Sequence, residues 1–337
     1  MAVFIQGIGN VSAQLTPSSN TWHWHTITQN PAPCVEPNYS DLIAPMQLRR
    51  MSKAVRMGIA ASIMALKDAG LEKPDTIITG TAYGCLADTE HFLTKLVDQE
   101  EQMLTPTAFI QSTHNTVSGQ IALHLKCHGR NFTYTQRGHS FEHALQDAML
   151  SLNEDAQQQL LVGAIDEISK HSFPIIGRFG TYKHEEESFF QDSKGTMVGE
   201  GAHMFVLNSE KKESSFAEIV DVYTCFTDQV EMSMKLFLER NNCKPETCLL
   251  GLNGNNRYDA WFVEQLKNLS CTNVYTYKNY CGEQPIAASF AMMMAASMLR
   301  YGTDLPVYQG SALHPKTILI WNHYKNQYHS FILLRRS

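Results

Sequence analysis

The feature that most constrains this chain is an alternation of strand-like and helix-periodic segments that runs through its first part and then starts again in shorter form. Segments 3–7 and 76–81 read as strands. Segment 52–69 reads as a helix, with Val55, Ile59, Ile63 and Leu66 at helical spacing and Gly70 as its stop. Residues 91–97 and 118–125 read as helices, and 160–165 and 202–207 as buried strands. The second set has strands at 216–226, 249–253 and 273–277 and helices at 232–241, 258–269 and 285–299. It ends in a hairpin at 317–321 and 328–334. Such alternation specifies an α/β protein. The similarity of the two sets predicts two pseudo-repeated halves, 1–208 and 209–337, meeting at the charged SEKKESS of 209–215. An exposed loop within one domain is the other reading of that stretch.

Composition narrows the function classes. The 337 residues are 43% hydrophobic, enough for a sizeable core, and the net charge is −6 with no basic block. Neither nucleic acid nor a membrane surface is therefore expected as a partner. No apolar run approaches the roughly 18 residues of a membrane span, and the start lacks the basic n-region and long apolar h-region of a secretion signal. The eight cysteines show no CxxC spacing; Cys243 and Cys248 are the nearest pair. Reduced thiols in a cytoplasmic protein are expected, without a metal, a disulfide framework or a cofactor.

Residues 131–145, NFTYTQRGHSFEHAL, carry the strongest hint of chemistry. A β-branched and aromatic run stops at Gln-Arg-Gly, and Ser140 opens a helix-compatible stretch. Strand, tight turn and helix N-terminus form the layout in which acyl-transfer enzymes present a nucleophile. Here Gly138 stands at the turn and offers no attacking atom.

Five motifs in order give the chain a resemblance to the β-ketoacyl synthases of the thiolase superfamily. Residues 4–12 (FIQGIGNVS) resemble the opening strand and turn, and 50–71 the R-M-x-R…A-L-x-D-A-G-L helix, with Lys53 for the second Arg. Residues 78–84 resemble the next strand and glycine turn, and 111–122 (QSTHNTVSGQIA) the dimer-interface helix. Residues 195–207 (GTMVGEGAHMFVL) are close to the G-x-x-x-G-E-G-A block. The resemblance implies a thiolase fold, two α/β halves in a layered αβαβα arrangement.

It also implies a Cys nucleophile at a helix N-terminus and two histidines that stabilise an enolate. Matched position by position, the Cys is Gly138, the first His is Asn253 within GLNGNN, and the second is Glu283, six positions along a motif whose Lys278 is retained. No register shift rescues the histidines, because no His occurs between His203 and His314. The glycine-rich gate of the family is replaced by WNHYKNQYHSF (321–331). Substitutes are weak. Cys281 reads as a small buried hydrophobe and Ser140 as a cap or packed residue. His139 cannot face its neighbour on a helix, and Glu283 would repel an enolate.

Among family members the resemblance is closest to chain length factors, subunits that lack the Cys, pair with an intact ketosynthase and limit product length. That implies a chain that is no enzyme alone but part of a β-ketoacyl synthase complex, with an active ketosynthase and an acyl carrier protein as partners. Polyketide, aryl polyene or fatty-acid-type elongation is the implied context. The pairing surface would comprise 106–120 and 132–136. Phe109, Ile110 and Thr113, with Thr135 and Gln136 on the strand side, are the tunnel and interface candidates. An enzyme of altered chemistry (a thioesterase or acyltransferase) and a homodimeric acyl-carrier-binding module are the alternatives.

Overall fold

The structure, a computed structural model, describes residues 1–16, 22–227, 230–267, 269, 271–303, 305–310 and 314–337. The first part runs β1 (Val3–Val11), α1 (Pro45–Leu48), α2 (Lys53–Ala69), β2 (Thr76–Gly80), α3 (Leu86–Asp98), α4 (Pro106–Gln111), α5 (Thr116–Leu125), β3 (Asn131–Tyr134), α6 (Ser140–Glu154), β4 (Leu160–Asp166), α7 (Ser172–Gly177) and β5 (Gly201–Asn208). The second runs β6 (Ala217–Phe226), α8 (Val230–Arg240), β7 (Thr247–Leu250), α9 (Asn256–Leu266), β8 (Asn273–Thr276), α10 (Lys278–Cys281), α11 (Ala287–Tyr301), β9 (Thr317–Tyr324) and β10 (Tyr328–Arg335).

All ten strands join one sheet, in the order β3-β2-β4-β5-β1-β6-β10-β9-β7-β8. Read inward from each edge toward the central β1·β6 pair, the two sets of five follow the same chain logic: third, second, fourth, fifth, first. The first strands of the two sets pair with each other, Val3 opposite Ile219 and Ile5 opposite Ala217.

Alternation along the strands sorts side chains into layers. On β4, Leu160, Val162 and Ala164 pack with α6 and α11, while Leu161 and Ile165 pack with α2 and α5. On β7, Leu249 joins the α6–α11 cluster, while Cys248 and Leu250 turn to α8 and α9. The result is five layers: α2/α5, the first strands, α6/α11, the second strands, α8/α9. Helix α11 lies in the middle, which explains why it is apolar on every side; Met292, Met293 and Met294 are all fully buried.

The G-E-G-A block has a structural reason. A Cβ on Gly199 would lie 1.7 Å from the Cys281 carbonyl oxygen, so only glycine fits. The Glu200 carboxylate accepts from Lys53 Nζ on α2, and from the backbone N–H groups of Cys34 (3.1 Å) and Ile168 (3.0 Å). Lys53, unusual for the motif, thus keeps a cationic partner for that buried acid.

Some expectations need correction. The stretch 106–120 is not one helix: the chain turns at Ser112–Asn115 and splits it into α4 and α5. The strand before Gly138 stops at Tyr134, leaving Thr135 and Gln136 in the turn rather than on the strand. The expected helix over 258–269 ends at Leu266, and residue 268 lies outside the described residues. Among the described residues, no helix is long and apolar enough to cross a membrane.

Candidate functional site

The turn after β3 leads through Arg137, Gly138 and His139 directly into α6. Arg137 takes φ +51°, in the left-handed region, and makes the reversal sharp. Gly138 is buried. A Cβ there would lie 2.6 Å from Tyr324 Cβ and 2.8 Å from Tyr328 Cβ, closer than packed carbons approach. The two tyrosines pair across the β9–β10 hairpin. Lys325 and Asn326, at φ +55° and +51°, make its tight turn. The Tyr324 hydroxyl lies 2.9 Å from the Tyr83 hydroxyl, which ties the hairpin to the loop after β2. The segment that replaces the family's gate is therefore a plug against position 138.

Asn253 and Glu283, the positions where the resemblance leads one to expect histidines, come together. Asn253 follows β7, and Asp259 at the start of α9 fixes its loop by accepting from the N–H groups of Asn253 and Gly254, each at 2.9 Å. Burial pushes the Asp259 carboxyl up to about 6 against the pull of those two donors. Asn253 Nδ2 donates to Glu283 Oε2 at 2.7 Å. Glu283 sits between α10 and α11, its N–H donating to the Met197 carbonyl (2.7 Å). Lys278 Nζ donates to both Glu283 oxygens, at 3.1 and 3.0 Å, and to the His323 carbonyl. Lys278 is fully buried. An amide, a carboxylate and an ammonium thus satisfy one another where two imidazoles are expected in an active relative.

A cavity of about 520 Å³ opens beside this cluster, lined in part by Tyr83, Phe173, Tyr182, Asn253, Glu283 and Tyr324. No histidine or cysteine lines it among the described residues. His139, packed on Tyr328, and His323, packed on Phe262, lie outside that lining and burial lowers both imidazoles; His139 is pushed down to about 4. Ser140 Oγ donates to the Arg137 carbonyl (2.8 Å), which fits a structural role, and burial pushes the Cys281 thiol well up. Among the described residues no cluster of His, Cys, Asp or Glu could hold a metal ion.

The tunnel candidates sit elsewhere. Phe109 and Ile110 on α4 are exposed (58% and 61%), and Thr135 and Gln136 are exposed at the end of β3. Thr113 caps the α4–α5 turn, its hydroxyl donating to the Ile110 carbonyl (3.1 Å). Sequence reasoning missed Phe92 on α3, whose ring backs Phe109 at 5.7 Å between centroids. It also missed the pairing of Tyr324 with position 138, although the bulk of 321–331 was the signal for it.

The profile described as "Beta-ketoacyl synthase, N-terminal domain" matches residues 23–213, more than half the chain. The chain belongs to the β-ketoacyl synthase family. No curated protein matches this family member in sequence. Solved structures similar to it include the ishigamide ketosynthase/chain length factor (TM-score 0.80, 17% identity, 100% of this chain and 99% of that one). A β-ketoacyl synthase from Burkholderia phymatum STM815 is equally similar (TM-score 0.80, 17% identity, 100% and 99% coverage). The ketosynthase ApeO in complex with its chain length factor ApeC from Xenorhabdus doucetiae follows (TM-score 0.75, 14% identity, 100% and 98%). At such identities these likenesses establish the fold: a thiolase-like α/β ketosynthase architecture over the whole chain.

Proposed function

We propose that this β-ketoacyl synthase family member is a non-catalytic subunit of the chain length factor type, pairing with an active ketosynthase and shaping its acyl tunnel. The observation that carries the reading is the filled space at Gly138: with Tyr324 and Tyr328 packed there, neither a side chain nor an acyl thioester has room. Decarboxylative condensation needs donors that stabilise a developing enolate. Glu283, an acid held by Lys278, offers a carboxylate of the same sign as the enolate in place of a donor. Positions 138, 253 and 283 are thus proposed as degenerate catalytic positions, with Lys278 retained as a structural counter-ion.

The pairing surface is proposed to be β3, the edge strand of the sheet, with α4 and α5. Exposed Phe109, Ile110, Leu123 and Phe132 support it, since large apolar side chains gathered beside a free strand edge mark an association face. Phe109 would then meet the tip of the growing chain in the partner's tunnel. The division into repeats at 208/209 is proposed on the shared strand order of the two sets. An acyl carrier protein as the second partner and a cytoplasmic setting complete the reading. The test is co-expression with a cysteine-bearing ketosynthase: a complex that elongates, in which this chain never carries acyl, supports it. Acylation or thioester hydrolysis by this chain alone overturns it in favour of an enzyme.

The cavity beside Asn253 favours one further reading, a carrier- or acyl-binding module that acts without a ketosynthase. Carrier binding by the isolated chain, with no affinity for any ketosynthase, would select it.

A further inference from the structure

We infer that the face around β3 is built to refuse a second copy of this chain and to accept a partner whose opposing face is acidic. The inference rests on the reading of that face as the pairing surface.

Charge distribution carries it. The chain has 33 acidic and 27 basic residues, yet between Glu101 and Glu142 it contains no aspartate or glutamate. Lys126, Arg130 and Arg137 are the lysines and arginines of that stretch, and it builds α4, α5, β3 and the turn after it. These elements form one surface: Thr116 Oγ1 donates to the Ile110 carbonyl (2.7 Å), and Ser118 Oγ donates to Asn131 Oδ1 (2.6 Å). Glu142 itself is fully buried. Asp147 on α6, beside this surface, is taken up by Arg130 at 2.9 Å, and the Arg130 guanidinium covers the Phe132 ring at 4.4 Å. The acids of α3 lie on the α4 side, away from Lys126 and Arg137 in the chain. Lys126 and Arg137 are exposed and form no ion pair with a described residue.

A two-fold homodimer places a patch against itself. This patch would then bring uncompensated cations toward uncompensated cations beside a desolvating apolar surface, where like charges cost most. The same patch against an acidic face gains steering and register. Arg137 adds a second observation. It holds φ +51°, a conformation that glycine adopts at no steric cost. The turn after β3 thus holds Arg137 as an exposed cation beside that face, where a partner carboxylate can reach it. Specificity of this kind excludes the wrong partner as well as attracting the right one.

Opposite salt responses test the idea. Sedimentation velocity is run at about 20 mM and about 500 mM NaCl, a range over which screening of surface charges becomes nearly complete. The chain is measured alone and with each cysteine-bearing β-ketoacyl synthase of the source organism, purified singly. Alone, it should be monomeric at low salt and gain self-association at high salt. Its complex with a ketosynthase should weaken at least tenfold across the same range. Lys126→Glu/Arg137→Glu should weaken that complex at least tenfold at low salt. A stable homodimer of the wild-type chain at low salt overturns the inference. So does a ketosynthase complex indifferent to both salt and the double substitution, an outcome that leaves the pairing itself intact. Absence of a complex with every ketosynthase at both salt concentrations overturns the inference together with the reading on which it rests.

Discussion

Lys278 Nζ lies 3.0 Å from Glu283 Oε2 in a cluster where the ammonium is fully buried. The pair stands where an active ketosynthase is expected to place an imidazole, and its mutual hydrogen bonds give it a structural role. A buried ion is tolerated only while its partner is present. Lys278→Met should therefore destabilise the fold by about 3–5 kcal/mol, and Lys278→Met/Glu283→Gln should regain most of that loss. Urea unfolding of the three proteins measures both.

Restoring the nucleophile should not restore chemistry. A Cβ at position 138 meets Tyr324 and Tyr328 within 2.8 Å, so Gly138→Cys should cost about 1–3 kcal/mol as overpacking. Adding Tyr324→Gly should recover part of that stability and expose the thiol to iodoacetamide. Neither variant should condense acyl groups, because no histidine lines the cavity beside Asn253 and Glu283 among the described residues. Thermal unfolding and mass after alkylation check the two halves of this expectation.

Glu142 gives a pH signature. Its carboxyl is fully buried on α6, accepts from Ser330 Oγ at 2.6 Å, and is pushed up to about 7 by burial. The folded state thus favours the protonated acid. Its contribution to stability is complete below about 4.5, the ordinary value, and is lost as pH rises through about 7. Glu142→Gln keeps the acceptor for Ser330 and cannot ionise. Its stability relative to wild type should rise from near parity at low pH to an advantage on the order of 3 kcal/mol above pH 8. Denaturant unfolding between pH 4.5 and 8.5 follows the difference; a flat difference contradicts it.

Phe109 and Phe92 should set product length together. With rings 5.7 Å apart, the second supports the first against the push of a growing chain. In a reconstituted complex Phe109→Ala should lengthen the main product, and Phe92→Ala should broaden the distribution in the same direction. Each extra methylene is opposed by about 1–3 kcal/mol of overpacking in the wild type. Product mass profiles decide, and unchanged lengths for both variants would remove Phe109 from the tunnel.

Much of this was legible in sequence, for local reasons. The helical stripe of α2 buries Val55, Ile59 and Leu66 as its period implies, and β4 and β5 read as mostly apolar runs because both their faces are covered. Gly138, Asn253 and Glu283 are proposed as departures on the register that the glycine turns and G-E-G-A set, and the structure brings Asn253 and Glu283 into hydrogen-bond contact. What sequence could not supply is contact across distance in the chain. Tyr324 reaches position 138 only once the last hairpin has paired with β6. Phe92 finds Phe109 only through the turn that separates α4 from the helix before it. The break falls on Ser112-Thr113-His114-Asn115, weak helix formers that favour caps and turns, a signal that reading 106–120 as one helix passed over.

The central claim is that this chain holds a partner's tunnel without carrying acyl itself. Intact-mass measurement of a co-purified ketosynthase complex, taken after loading from an acyl carrier thioester, tests it most directly. Equal amounts of the two chains should be found with the acyl mass confined to the ketosynthase; acyl mass on this chain would show that it is itself an acyl-transfer enzyme.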